Sequence, residues 1–201
     1  VSNIGVVVGD NGLVNIYDGS FIPQKIATNL NDNFYSVAAD STSNKVYLGA
    51  SNGGMYYISD ISATTPSLAK IPSNNTKAIN GIDVSPSGEV LYVGDESRIF
   101  KGKDNFAYEI KNNYTPVLRD VHFSSLANGH VVGDDYTLRQ TIDGGLTWSV
   151  VLPDSGFASG VDTLNAVHTF GAGDAMVVGD DAYVATITNQ TAVESSTLPV
   201  G

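Results

Sequence analysis

The chain contains no cysteine, so neither a disulfide nor a thiolate metal site can contribute to its structure. Basic residues are scarce: ten Lys and Arg stand against twenty-one Asp and Glu, for a formal net charge of −11 over 201 residues. Such a surface repels nucleic acid and anionic membranes, and no basic cluster offsets it, which excludes nucleic acid as a partner. Long apolar runs are missing, so membrane insertion is not expected. No segment shows helical periodicity of useful length. No P-loop, dinucleotide fingerprint or Ser-His-Asp order stands in a suitable context. Apolar residues nevertheless make up 42% against 15% charged, enough for one packed domain.

What is present is a repeat. A short apolar run ending in Gly recurs as Val6-Val7-Val8-Gly9-Asp10, Val46-Tyr47-Leu48-Gly49-Ala50, Leu91-Tyr92-Val93-Gly94-Asp95, His130-Val131-Val132-Gly133-Asp134 and Met176-Val177-Val178-Gly179-Asp180. The glycines are 40, 45, 39 and 46 residues apart, the size of one four-stranded propeller blade. A second short alternating segment follows each corner, at 13–17, 55–58, 98–101, 138–142 and 183–187, and a third at 24–28, 68–71, 107–110, 149–152 and 192–198. A fourth element, at 34–39, 79–84, 118–123 and 164–169, precedes the next corner, with Val37, Ile82, Val121 and Val167 each twelve residues before the Gly. Turn formers such as Asn11-Gly12, Asp18-Gly19, Asn52-Gly53-Gly54 and Asp143-Gly144-Gly145 separate the elements.

The expected fold is therefore all-β, a β-propeller with about five four-stranded blades in a single domain over 1–201. Its repeat units run 1–43, 44–88, 89–127, 128–173 and 174–201. Five corner strands but four preceding elements leave one strand missing, the innermost of the first unit, and an exposed hydrogen-bonding edge there. Further strands or blades of a longer chain, a strand donated by a partner, or residues 192–198 crossing over would each complete the ring. A first residue Val rather than Met and the ending Leu198-Pro199-Val200-Gly201 favour the longer chain or assembly.

The fourth unit carries the sharpest motif, Thr141-Ile142-Asp143-Gly144-Gly145-Leu146-Thr147-Trp148. Asp143 can bond amides of its own turn, the glycines allow the reversal, and Trp148 can pack between neighbouring sheets. Thr141, Asp143, Gly145 and Trp148 resemble the Asp-box, the bacterial neuraminidase repeat. The stretch 118–148 looks like one blade of the photosystem II assembly-factor type of propeller, as does the corner 5–12. Tyr17-Asp18-Gly19-Ser20-Phe21 and Lys103-Asp104-Asn105-Phe106 keep reduced versions of the box. The resemblance implies the fold; relatives of this kind serve as sialidases, assembly factors, adhesins and virion proteins, so it does not imply one activity.

Sialidase chemistry, by the same resemblance, needs three arginines on the substrate carboxylate, a Tyr–Glu nucleophile pair and an acidic donor. This chain has Arg98, Arg119 and Arg139, none before an x-Pro, and only Glu89, Glu96, Glu109 and Glu194, which read as surface charges. One step beyond the register Val and Ile stand Asp83, His122 and His168, and two steps before stand Tyr35, Asn80, Arg119 and Asn165. Asp83, His122, His168 and Arg119 form a candidate ligand site at the axis, against the simpler reading of a wet polar channel. Asp10, Asp95, Asp134 and Asp180 recur at the corners; spread over different blades, they suit turn capping better than Ca²⁺. Ten tyrosines offer amphipathic contact surface, although strand alternation would bury about half of them.

The chain is thus expected to be a non-enzymatic binding or structural module without cofactor or resident metal. It would contact a protein or a glycan in an extracellular, secreted or virion-surface setting. Asn74, Asn113 and Asn189 lie in Asn-x-Thr acceptor sequences. The alternatives are a sialidase-like, glycan-processing hydrolase with catalytic residues outside this segment, and an assembly factor that grips a protein partner.

Overall fold

Period-two alternation becomes strand after strand in the computed structural model, which describes residues 4–19, 24–40, 42–103, 106–110, 112–154, 157, 162–171 and 173–188. The first sheet comprises β1 (Gly5–Val8), β2 (Val14–Tyr17) and β3 (Gln24–Lys25). The second comprises β4 (Phe34–Ala39), β5 (Val46–Ala50), β6 (Met55–Ile58) and β7 (Leu68–Ile71). The third holds β8 (Ile79–Val84), β9 (Glu89–Gly94), β10 (Ile99–Lys103) and β11 (Phe106–Ile110). The fourth holds β12 (Leu118–Phe123), β13 (Gly129–Gly133), β14 (Leu138–Thr141) and β15 (Ser149–Val150). The fifth holds β16 (Leu164–Phe170), β17 (Asp174–Gly179) and β18 (Val184–Ile187).

Every sheet is an antiparallel meander in which chain order is spatial order. The leading strands pack in series, β4 on β8, β8 on β12 and β12 on β16, with β1 against β4. Four apolar clusters fill the spaces between consecutive sheets: Val14 and Ile16 with Phe34 and Leu48, then Tyr47 and Met55 with Ile79 and Tyr92. Leu91 and Ile99 follow with Val121 and Trp148, and Val132 and Leu138 with Val167 and Val177. Each fully buried Leu, Val or Ile contributes about 1.5–3 kcal/mol, so sheet-on-sheet stacking holds the array together. Serial stacking of short meanders around inner strands is the architecture of a β-propeller.

As the strand count requires, β1 has no inner neighbour among the described residues. The fifth sheet has three strands there; residues 192–198, expected as its outer strand or as a crossover, lie outside the described residues, as do Asn189, Ser20, Phe21, Asp104 and Asn105. From the second sheet on, the hydrogen-bonded sheets begin with the inner strand, so each of those four straddles two of the corner-to-corner units.

One register expectation is corrected. Ile82 pairs with Tyr92, Val121 with Val131 and Val167 with Val177, but Val37 pairs with Leu48, one residue nearer the corner. The bond that closes each corner, from N–H to the carbonyl four residues on, is made by Gly9, Gly94, Gly133, Gly179 and Ala50. Ala50, not Gly49, therefore takes the corner position in the second sheet, because the β4–β5 hairpin is one residue longer. At Gly133 an added Cβ would lie 2.0 Å from the Val117 carbonyl oxygen, which explains the glycine there.

Candidate functional site

The corners and inner strands that carry the sequence's polar candidates are tied together by a repeated backbone irregularity. In β4, β8, β12 and β16 the pairing slips at the same place, skipping Tyr35, Asn80, Arg119 and Asn165. These are β-bulges, which free one side chain from the ladder and re-aim it. Asn80 donates to Asp95 at 3.1 Å, Asn165 to Asp180 at 2.9 Å, and the Arg119 guanidinium to Asp134. Corner acid and bulge residue thus form a pair within the third, fourth and fifth sheets. The side chains of Asp95, Asp134 and Asp180 bond the bulge residues instead of capping turn amides as expected, their backbone carbonyls close the turns, and Arg119 belongs to this pairing rather than to the axial cluster.

The same corners turn on two consecutive left-handed residues. Asn11 and Gly12 have φ of 55° and 71°, Glu96 and Ser97 55° and 52°, Asp135 and Tyr136 53° and 55°, Asp181 and Ala182 52° and 58°. Two positive φ values with an N–H of residue 13, 98, 137 or 183 bonded to the corner acid's carbonyl make a type I′ hairpin turn. Only Asn11-Gly12 carries favoured residue types at both central positions, so the other three were not legible in the sequence.

Along the inner strands, side chains reach sideways and capture the backbone of the next sheet. Ser36 bonds the Ile79 carbonyl at 3.4 Å. Asp83 accepts the N–H of Phe123 at 2.6 Å and of Val84 at 2.8 Å. Asp120 accepts from Val167 at 2.9 Å and from Val121 at 2.9 Å. His122 Nδ1 accepts the Thr169 N–H at 3.0 Å, which sets the neutral imidazole with its proton on Nε2. Thr169 Oγ1 donates to the His122 carbonyl at 2.9 Å and so accepts from His130 Nδ1 at 3.1 Å. All three histidines gather here, since the His122 and His168 rings lie 4.2 Å apart.

Burial dominates the ionisation of this ladder. It pushes the Asp83 carboxyl up to about 6 against the opposing pull of two N–H bonds and His168. It raises Asp120 likewise. His122 is lowered by burial and by His168, and His130, fully buried, falls to about 4. The structure therefore brings Asp83, His122 and His168 together as expected, and adds Asp120, His130 and Thr169. Asp120 was readable as the residue two before His122, on the same strand face; His130 was not, because its partner lies in the next sheet. Both Asp83 oxygens and His122 Nδ1 are engaged by backbone amides, so the chemistry on offer is inter-sheet stitching. Among the described residues no three His, Asp or Glu side chains converge as metal ligands would.

The 141–148 turn has the geometry its residues predict. Asp143 Oδ1 accepts from the Leu146 and Thr147 N–H groups at 3.0 and 2.9 Å and from Thr141 Oγ1 at 2.8 Å. Gly144 and Gly145 have φ of 74° and 87°, and Gly145 N–H bonds Thr141 Oγ1 at 2.8 Å. Trp148 donates to the Gly145 carbonyl at 3.1 Å and is buried between the third and fourth sheets. Lys101 of the third sheet clamps the turn from the side, at 3.0 Å from the Gly144 carbonyl.

Comparison with known proteins agrees with this architecture. Among solved structures, the chain is similar to the crystal structure of the WD40 beta propeller domain of Doa1, with a TM-score of 0.69 and 13% identity. The fold is a β-propeller. At that identity the likeness speaks to fold alone; it covers 92% of this chain, which spans 60% of the length of that structure. No protein-family profile and no curated protein matches the sequence.

One surface of the array is left over. On the outward face of the fifth sheet Phe170, Met176, Val178 and Val184 are exposed. Pairing places Val178 opposite both Ala166 and Val184, and Met176 opposite both His168 and Thr186, so these residues share one face. No helix among the described residues is long and apolar enough to cross a membrane.

Proposed function

We propose that this chain is a non-enzymatic propeller module that works by binding protein. The observation that carries the reading is the outward face of the fifth sheet. Its residues stand where the fourth sheet places Val132 and Leu138, which lie under the next sheet in the fourth apolar cluster. A face built to be covered by a sheet, and exposed here, suits a partner that supplies another blade-type sheet. The polar clusters support the non-enzymatic part: the acids and histidines of the ladder and corners are engaged in holding sheets and turns. The likeness to a WD40 propeller domain supports the propeller architecture on which the reading is built, and the 141–148 turn supports kinship with Asp-box propellers.

The test is association state. Sedimentation velocity at rising concentration should show the chain self-associating through this face, and Val178→Lys with Val184→Lys should return it to monomer without lowering its Tm. A wild type that stays monomeric at high concentration and binds no apolar-surface dye would overturn the reading. So would hydrolysis of sialosides or other glycosides that is lost in Asp83→Asn or His122→Gln.

A further inference from the structure

Opposite in character to the sheet face is a cavity of about 740 Å³ on the turn-bearing rim of the fourth sheet. Its walls include Tyr114, Tyr136, Leu138, Leu152 and Phe157, with Arg139 as the cation. That volume lies within the range of sites for small ligands or single anchored side chains, about 300–1,000 Å³.

We propose that this pocket takes an aromatic side chain with a carboxylate beside it, presented by a segment of a protein partner. The inference rests on the reading of the chain as a binding module and names the chemistry that one rim would recognise. Arg139 is the first reason. Its guanidinium carbon lies 3.5 Å from the centroid of the Tyr114 ring, and Tyr114 is itself held by its hydroxyl on the Trp148 carbonyl at 3.0 Å. Arg98 pairs with Glu96 and Glu109, and Arg119 with Asp134, whereas Arg139 meets no carboxylate among the described residues. Its Nε is also buried without a hydrogen-bond partner. In a chain with twice as many acids as bases, an uncompensated cation with an unmet donor against an apolar wall is poised for an incoming anion.

Tyr136 is the second reason. It is held at φ 55°, a left-handed conformation that strains a bulky residue. That conformation brings its ring 5.2 Å from Phe157, at an interplanar angle of 55°, and its hydroxyl 3.3 Å from Asp162. The strain thus fixes one aromatic wall of the cavity. Asp135, exposed in the same turn, is the one acid among the lining residues and disfavours a second negative charge on the ligand. The corresponding cavity beside the third sheet has Arg98 and Glu109 together and neutralises itself.

The probes are N-acetylphenylalanine and its C-terminal amide, titrated into isotope-labelled protein and followed by NMR. The acid should shift the Tyr136, Leu138 and Tyr114 signals and bind about tenfold more tightly than the amide, the size of one charge-assisted contact. Arg139→Gln should abolish that preference, and Arg139→Lys should keep part of it. Equal binding of acid and amide, binding of neither, or a preference that survives Arg139→Gln would overturn the proposal. Because Val178→Lys with Val184→Lys leaves this rim intact, the pocket and the sheet face fail or stand separately.

Discussion

In the fourth sheet Val132 and Leu138 are at most 1% exposed, covered by Leu164, Val167 and Val177; at the matching positions of the fifth sheet, Val178 is 36% and Val184 61% exposed. The polar positions differ as well. Asp120 and His122 of the fourth sheet both hold backbone N–H groups of β16, while the fifth sheet has Ala166 and His168 at those places. The apolar part of the interface recurs, but the Asp stitch does not. A sheet face in this protein is therefore recognisable by its aliphatic positions, and the side chain that grips the next backbone is specific to each interface.

The sharpest way to break this comparison is a charge at equivalent positions. Leu138→Lys buries an unpaired ammonium between two sheets and should cost more than about 4 kcal/mol or prevent folding, whereas Val184→Lys should stay within about 0.5 kcal/mol, as read from urea midpoints. Equal losses would mean that the fifth face is covered within the chain itself.

A smaller effect separates the stitches. Asp120→Ala leaves the Val167 N–H without its side-chain acceptor and should cost about 1–3 kcal/mol. Ala166→Asp adds a carboxylate with no backbone to capture and should change stability by less than about 0.5 kcal/mol. Comparable losses from the two substitutions would show that the difference between the sheets is not one of captured backbone.

The smallest expected effect is the pH response of the wild type between about 4 and 6. His130 titrates near 4 folded and near 6.5 unfolded, so the unfolded chain takes up the proton first and acidification removes stability. Asp83 titrates near 6 folded and 3.8 unfolded, so the folded chain takes up the proton first and acidification adds stability. The two oppose each other over the same window, and the wild-type Tm should change little. His130→Asn should become more stable on acidification from pH 6 to 4, and Asp83→Asn less stable. Parallel pH profiles for the two variants would contradict the assignment.

Much of this was readable without coordinates. The inner strands Phe34–Ala39, Ile79–Val84 and Leu118–Phe123 match expectation residue for residue, because β-branched and aromatic residues alternate there between clear turn formers. Trp148 and Asp143 were placed by their offsets. The Glu96-Ser97, Asp135-Tyr136 and Asp181-Ala182 turns were not, since the second residue of each (Ser97, Tyr136, Ala182) is of a type that disfavours positive φ. Ala50 escaped because a one-residue lengthening of a hairpin leaves the glycine spacing intact. Arg139 read as an ordinary surface arginine; only the position of Tyr114, from a different loop, shows it stacked and unpaired.

By itself, then, the sequence determined the inner strands, the repeat length, the turn positions between the strands and the count of five corner strands against four inner ones. Those follow from local alternation and turn chemistry, which act over a few residues. Tertiary structure decided which polar groups meet across sheets, which acid is bound by which bulge, how far each ionisation shifts, and which apolar face stays uncovered. These depend on distances between residues from 15 to 47 positions apart in the chain, and alternation carries no information about them.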